Sequence, residues 1–363
     1  MDSVQIKKNL KKISIMINQI RLTFFRFTFL LLGIAALSSC KKDDDSTDTP
    51  TTKLKIGLVS AESGFGDLGY NDLALAGLNQ AGADLGVITE SYDCNDSNDI
   101  KMGINYFVQN NFDLIFCLSY GAKYSVLQAA LANPTKNFIL LDDTIINPPS
   151  NVKCFVYQVD QASFLCGFLG AYWAEKKDPA NPVCSWVGGI QIPAIEQFKT
   201  GYLSGIAYYN SSYNRNVIPD GNYTNSFSDT VAGANVATGL INAGADVVFP
   251  FAGECGLGAL TATKAAGKWA VGVDVDQFIS VPDVSTALIT SCLKKINVTI
   301  FNETKKFRDN GWNSSGNFTT GLSTDDVGYA PFHDYETQIA DSIKNEMITI
   351  KGGLINGSIV TGW

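Results

Sequence analysis

From residue 54 onward, apolar runs of strand length alternate with stretches of helical periodicity. Residues 55–59 form the first such run, and residues 113–118 and 138–141 form two more that are almost continuously apolar. Runs without polar alternation are typical of strands covered on both faces, as in a parallel sheet. One intervening helical face is formed by Ala74, Leu78, Ala81 and Leu85. The pattern therefore predicts strand–helix–strand units and an α/β fold.

The second half of the chain repeats this plan. Its first run is 183–187, and Asp246 and Asp274 occupy the positions that Asp113 and Asp142 occupy in the first half. Asp113 and Asp142 are 29 residues apart, and Asp246 and Asp274 are 28 apart. The repeat in order, residue type and distance predicts two lobes with the same core topology, each a mostly parallel sheet flanked by helices. The predicted lobes are 54–158 plus 278–328 and 159–277 plus 329–363. Crossings, and hence hinges, are expected near Val159, Phe278 and Tyr329.

Asp142 and Asp274 each end an apolar run, one in each predicted lobe. Ligands of open parallel sheets collect at the carboxyl ends of the strands. Equivalent placement in both halves favours a ligand cleft between the lobes. The alternative is that each aspartate only caps the turn that follows its strand.

The first forty residues are predicted to direct export. A basic region precedes an apolar run at 27–37 that is too short to span a membrane, since a spanning helix needs about 20 residues. Residues 37–40 read Leu-Ser-Ser-Cys and resemble a bacterial lipobox. We predict a lipoprotein signal peptide at 1–39, a lipidated Cys40 and a solvated tether over 40–53, which would anchor the body to the plasma or outer membrane. An ordinary signal peptide with an incidental cysteine is the alternative.

Charge and composition exclude several classes of function. The chain has 27 Lys and Arg against 35 Asp and Glu, which disfavours binding to nucleic acid. His333 is the single histidine, which argues against a histidine metal site or a Ser-His-Asp triad. No metal, cofactor or catalytic residue is predicted. Seven cysteines follow Cys40 without a C-x-x-C pair, so buried free thiols are favoured over disulfides.

The glycine-rich segment 63–72 follows the first strand and opens a helix. Asp67 and Asn71 offer hydrogen bonds, and Phe65 and Tyr70 offer flat apolar faces, a set that suits an aromatic and polar ligand. The alternative is a capped loop with core aromatics. Further candidates are the Gly253 backbone, Phe198, which could instead pack in the core, and Lys294. Because adjacent lysines cannot share one helical face, Lys294 or its neighbour is expected to turn inward unless both are solvated.

Several segments together resemble the basic membrane protein (PnrA-like) family of lipoproteins, the substrate-binding components of ABC importers. The matching segments are 66–71, 151–171, 188–202, 226–229, 252–258, 271–277 and 290–294. The resemblance implies a two-lobed periplasmic-binding fold that captures a nucleoside, purine or other, for permease and ATPase partners. It implies base contacts from Asp67 and Asn71, stacking by Phe65, Tyr120 and Phe198, and ribose contacts from Asp274 and Lys294, with Asp142 beside them.

The chain departs from the family pattern at two places. Gly69 and Tyr70 replace the usual Ser-Phe pair, and Glu254 and Cys255 replace small residues in the glycine-rich loop. A different small polar ligand is therefore one alternative. A ligand-sensing lipoprotein that serves a signalling partner is a second, and a secreted nucleoside-cleaving enzyme is a third.

Overall fold

The computed structural model of this protein describes residues 53–363. The predicted signal peptide at 1–39, the predicted lipidation site at Cys40 and all but the last residue of the predicted tether lie outside the described residues. Within 53–363, no helix combines the length and the apolar character needed to cross a bilayer.

The described body alternates strands with helices along nearly its whole length. The strands are β1 Lys55–Val59, β2 Ile88–Tyr92, β3 Leu114–Leu118, β4 Asn137–Leu141, β5 Val152–Tyr157, β6 Val183–Gly188, β7 Ile218–Tyr223, β8 Val247–Phe251, β9 Trp269–Asp274, β10 Leu288–Lys294, β11 Gly316–Thr320 and β12 Val327–Tyr329. The helices are α1 Tyr70–Leu85, α2 Ser97–Gln109, α3 Lys123–Ala132, α4 Val159–Lys177, α5 Pro193–Tyr213, α6 Thr230–Asn242, α7 Glu254–Ala265, α8 Gln277–Ser280, α9 Ile296–Asn310 and α10 Asp341–Asn356.

The strands form two sheets, one in each lobe. The first has the order β11-β5-β4-β3-β1-β2 and is wholly parallel. The second has the order β12-β10-β9-β8-β6-β7, in which only β12 is antiparallel to its neighbour. The central strands β3 and β8 are buried at every position because helices cover both faces of each sheet. The prediction of two α/β lobes with mostly parallel sheets is confirmed.

The chain passes between the sheets at three places. After β5 it enters α4, which packs on the second sheet; after β10 it enters α9, which packs on α1 of the first lobe; and β11 is followed by β12 of the second sheet. The predicted boundary near Phe278 is wrong, because β10 pairs in parallel with β9 and keeps residues 278–294 in the second lobe. The crossing follows Lys294 instead.

Helices α4 and α5 approach each other unusually closely. A Cβ atom added at Gly201 would lie 2.1 Å from the Asp160 carbonyl oxygen, and one at Gly205 would lie 2.0 Å from the Phe164 carbonyl oxygen. Gly167 makes the reciprocal approach to the Tyr202 carbonyl oxygen. Glycine at these positions lets the two helix backbones touch, which brings Phe198 of α5 close to the second sheet.

The cysteines of residues 53–363 are all buried and unpaired, as the sequence predicts. Those of the first lobe are Cys94, Cys117 and Cys154. Those of the second lobe are Cys166, Cys184, Cys255 and Cys292. The described body is therefore held together by packing and hydrogen bonds without disulfides.

Candidate functional site

A cleft of about 300 Å³ lies between the lobes, at the carboxyl ends of the strands of both sheets. Nine predicted site residues line it. They are Asp67, Tyr70, Asn71, Tyr120, Asp142, Phe198, Gly253, Asp274 and Lys294. The site therefore combines residues from both halves of the internal repeat, as expected where two sheets face each other along their carboxyl edges.

Phe65 does not line the cleft, and the expectation that it stacks on a ligand is not met. Its ring is half-buried against the apolar core of the body, and its backbone N–H donates to the Asp93 carboxylate at 2.8 Å. Gly64 and Gly66 flank it with φ of +74° and +98°, a left-handed backbone that glycine tolerates. Phe65 is thus part of the packing around this loop and is absent from the cleft lining.

Asp67 and Asn71 form a hydrogen-bonded loop at the cleft wall. The Asp67 carboxylate accepts from the backbone N–H groups of Gly69 at 3.0 Å and Asn71 at 2.8 Å. The Asn71 amide donates to Asp67 at 3.0 Å and to Ser63 at 3.1 Å, and its oxygen accepts from the Ala61 N–H at 2.8 Å. Burial raises the pKa of Asp67 despite these bonds. Both side chains line the cleft, and their polar atoms bind their own loop, as the capped-loop alternative describes.

Asp142 and Asp274 occupy equivalent positions in the two lobes. Asp142 follows β4 with φ of +74°, and Asp274 ends β9 with φ of +64°. Aspartate is among the few residues other than glycine that adopt this left-handed conformation readily. The shared backbone geometry brings both carboxylates to the same cleft, which supports the sequence interpretation that they are more than turn caps.

Lys294 is buried between these two carboxylates. Its ammonium lies 2.5 Å from Oδ2 of Asp142 and 3.9 Å from Oδ1 of Asp274, and its side chain is only 4% exposed. The same ammonium lies 5.1 Å from the ring centroids of both Tyr70 and Phe198, within cation–π range. Lys294 is thus the inward-facing lysine, and its ion pair with Asp142 joins the two lobes.

Two buried polar atoms in this cluster have no hydrogen-bond partner within the described chain. They are Oδ1 of Asp274 and the hydroxyl of Tyr70. Burial lowers the pKa of Lys294, but the Asp142 and Asp274 carboxylates outweigh burial and leave it raised. Since buried polar groups are nearly always hydrogen-bonded, the cluster offers an unmet acceptor and an unmet donor to a ligand that carries hydroxyl groups.

The protonation of Asp274 predicts a pH-dependent stability. Burial raises its pKa from 3.8 to about 6; Lys294 opposes the rise, and Asp142 and Asp67 add to it. Between about pH 4 and about pH 6 the folded protein keeps a proton that the unfolded chain has released, so stability falls as pH rises, by about 1.4 kcal/mol per pKa unit. We expect denaturant unfolding across this window to show that decline, and Asp274→Asn to lack it. Equal slopes in both proteins would contradict the assignment.

The second-lobe wall of the cleft is aromatic. The Phe198 and Phe251 rings stack at 5.7 Å, and Phe251 stacks in turn on Trp186 at 5.9 Å. Phe227 lies beside them, and a Cβ atom at Gly189 would come within 2.2 Å of its ring, so glycine is needed there. Phe198 therefore packs in the core and lines the cleft at once.

Several lining residues were not singled out from the sequence. They are Glu62, Ser63, Asn95, Ser119, Ile192 and Phe227. Glu62 and Ser119 lie just beyond the ends of β1 and β3, so their position after a strand was a usable signal. Asn95 and Phe227 lie in irregular loops, where periodicity carries no information.

Comparison with known proteins identifies the family. The sequence profile described as ABC transporter substrate-binding protein PnrA-like matches residues 53–359. This chain belongs to that family. Members of the PnrA-like family are solute-binding proteins and not enzymes, so the nucleoside-cleaving alternative is excluded. The family assignment also implies a small ligand together with permease and ATPase partners.

Individual relatives agree with this assignment. An ABC transporter nucleoside-binding protein of Lactococcus lactis is 28% identical over 261 residues, which cover 68% of this chain and 72% of that protein. A lipoprotein of Pyrococcus abyssi is 28% identical over 82% of this chain and 74% of its own length. A solved ABC transporter solute-binding protein of Aeropyrum pernix superposes with a TM-score of 0.78 at 22% identity, covering 85% of this chain and 92% of the other. This last likeness shows the fold alone.

Proposed function

We propose that this PnrA-like protein is a lipid-anchored receptor that captures a nucleoside, of the purine class, between its lobes for an ABC importer. The observation that carries the proposal is the buried cluster of Asp142, Lys294 and Asp274 between the Tyr70 and Phe198 rings. It combines charged hydrogen-bonding groups with flat apolar faces in one cleft. A nucleoside has the matching pair of parts.

The carboxylates and the lysine suit the ribose. Oδ1 of Asp274 lacks a hydrogen-bond partner within the described residues, and a ribose hydroxyl can donate to it. Lys294 can donate to a hydroxyl oxygen while it remains paired with Asp142. Hydrogen bonds to charged groups contribute about 1.5–3 kcal/mol each, so this cluster would supply much of the affinity.

The aromatic wall suits the base. Phe198 and Phe251 present stacked rings to the cleft, and Tyr120 lines it from the first lobe. Stacking of a base on an aromatic side chain is worth about 1–3 kcal/mol. The name of the Lactococcus lactis relative, a nucleoside-binding protein, supports the same ligand class.

Ligand capture would proceed by hinge closure at the three crossings. The lobes already touch at the cleft: the Ser280 hydroxyl donates to the Leu68 carbonyl at 2.9 Å, and Lys294 pairs with Asp142. Opening must break both contacts, while a ligand that bridges Asp142 and Asp274 would favour the closed state. The anchor would be Cys40, and the Pyrococcus abyssi relative is itself named a lipoprotein.

Calorimetry with guanosine, inosine and adenosine tests this function. We expect saturable 1:1 binding, and at least tenfold weaker binding after Asp274→Ala, because about 1.4 kcal/mol corresponds to a factor of ten. Asp283→Ala, which removes an exposed carboxylate from the same lobe, is the matched control and should bind normally. An absence of heat with every nucleoside would overturn the ligand assignment, and an unaltered affinity of Asp274→Ala would overturn the ribose role.

A further inference from the structure

The Glu62 side chain lines the cleft, but its carboxylate has no hydrogen-bond or ion-pair partner among residues 53–363. This distinguishes it from the carboxylates of Asp67 and Asp142. The Asp67 oxygens are taken up by their own loop, and Asp142 is paired with Lys294. Because Glu62 is half-buried and unpaired in the described chain, both of its carboxylate oxygens can accept hydrogen bonds from a ligand in the cleft.

The Glu62 carboxylate lies against Gly121. A Cβ atom at Gly121 would lie 2.9 Å from Oε1 of Glu62 and 3.4 Å from the Ile100 methyl group, so a larger residue there would shift the carboxylate. The charge of this carboxylate also affects the neighbouring Tyr120. Burial raises the pKa of Tyr120, and the Glu62 charge adds to that rise. The carboxylate therefore lies against the end of β3, next to a ring that lines the cleft.

The order of the strands places Glu62 and Asp142 at the same edge of the first sheet. Asp142 follows β4 and Glu62 follows β1, and β3 lies between these two strands in the sheet. Two strand spacings of about 4.8 Å separate the ends of β1 and β4 along the carboxyl edge. This distance is comparable to the length of a nucleoside from its ribose hydroxyls to the far edge of its base. A nucleoside whose sugar is held at Asp142, Lys294 and Asp274 would extend its base along this edge of the sheet toward Glu62.

We propose that Glu62 is a specificity-determining residue that accepts hydrogen bonds from N–H donors on the far edge of the base and so favours guanosine over inosine and adenosine. The proposal rests on the nucleoside function argued above. A carboxylate has two acceptor oxygens and no donor. Guanine offers two adjacent donors, its ring N–H and its 2-amino group, whereas hypoxanthine offers only the ring N–H. Adenine places a ring-nitrogen lone pair beside its amino group, which a carboxylate repels.

The experiment measures the affinities of guanosine, inosine and adenosine for the wild-type chain, Glu62→Gln and Glu346→Gln. We expect the wild type to bind guanosine at least tenfold more tightly than adenosine. Glu62→Gln should weaken guanosine binding at least tenfold. It should also raise the affinity for adenosine relative to that for guanosine, because a glutamine amide can pair with adenine through one donor and one acceptor. Glu346 is half-buried in α10 and lies outside the cleft lining, so Glu346→Gln removes the same charge and should keep the wild-type order.

A second variant tests the position of the carboxylate without removing its charge. Gly121→Ala should displace Oε1 of Glu62 and reduce the preference for guanosine over inosine. If the wild type binds nucleosides but Glu62→Gln leaves their order unchanged, the role of Glu62 is overturned and the nucleoside function stands. If the wild type binds no nucleoside, the proposed function is overturned, and the role of Glu62 with it.

Discussion

Replacing Lys294 with methionine should lower the free energy of unfolding by about 3–5 kcal/mol and abolish ligand binding. The side chain of Lys294 is 4% exposed and faces the carboxylates of Asp142 and Asp274. Removing its charge leaves both carboxylates buried together without a cation. Such groups must then take up protons or draw in water, and the interlobe ion pair is lost as well. Denaturant unfolding at neutral pH and nucleoside calorimetry measure the two effects.

The adjacent lysine provides the control for this prediction. Lys295 pairs with the exposed Asp325 at 2.7 Å on the protein surface, so Lys295→Met should change stability by no more than about 1 kcal/mol and should bind ligand normally. Combining Lys294→Met with Asp142→Asn and Asp274→Asn should restore most of the lost stability without restoring binding, because no buried charge remains. Equal stability of the two lysine variants would show that Lys294 does not compensate these carboxylates.

Replacing Gly201 with alanine should destabilise the protein by about 3 kcal/mol. The new methyl group would lie 2.1 Å from the Asp160 carbonyl oxygen, so helices α4 and α5 would have to separate. The conflict is with backbone atoms, which cannot move aside as a flexible side chain can. The gain in helix propensity from glycine to alanine, about 0.5–1 kcal/mol, offsets only part of this loss.

Gly239→Ala is the matched control for Gly201→Ala. Gly239 also lies within a helix, α6, but a Cβ atom there has no neighbour within 4 Å. The control should therefore be stabilised by about 0.5–1 kcal/mol. Urea unfolding of both variants measures the difference. If Gly201→Ala unfolds at the same denaturant concentration as wild type, the close packing of α4 against α5 is not needed for stability.

The sequence predicted the lobes well because a strand covered on both faces is nearly continuously apolar. The runs at 113–118 and 138–141 became β3 and β4, and their counterparts in the second half became β8 and β9. The sequence could not predict which strand pairs with β10. An apolar run shows that a strand exists but not which sheet it joins, so the crossing was placed before β10 instead of after Lys294.

The sequence predicted the site residues that lie at the ends of strands. It missed those whose side-chain direction depends on the conformation of a loop. Asp142 and Asp274 follow directly from the repeat. Phe65 is one residue of a glycine-rich loop with left-handed glycines on both sides, where the sequence does not reveal the direction of a side chain. The family resemblance named Lys294, but the argument from a helical face was wrong, because Lys294 ends strand β10 and only Lys295 precedes a helix.

The unpaired thiols give each lobe its own reporter of opening. A buried thiol reacts with an alkylating reagent only after the structure around it opens, so the labelling rate follows local unfolding in the way that amide exchange does. Cys94, Cys117 and Cys154 respond to the first lobe, and Cys184, Cys255 and Cys292 to the second. Mass spectrometry of labelled peptides can thus show whether the halves of the receptor melt together or one after the other, without introducing any probe.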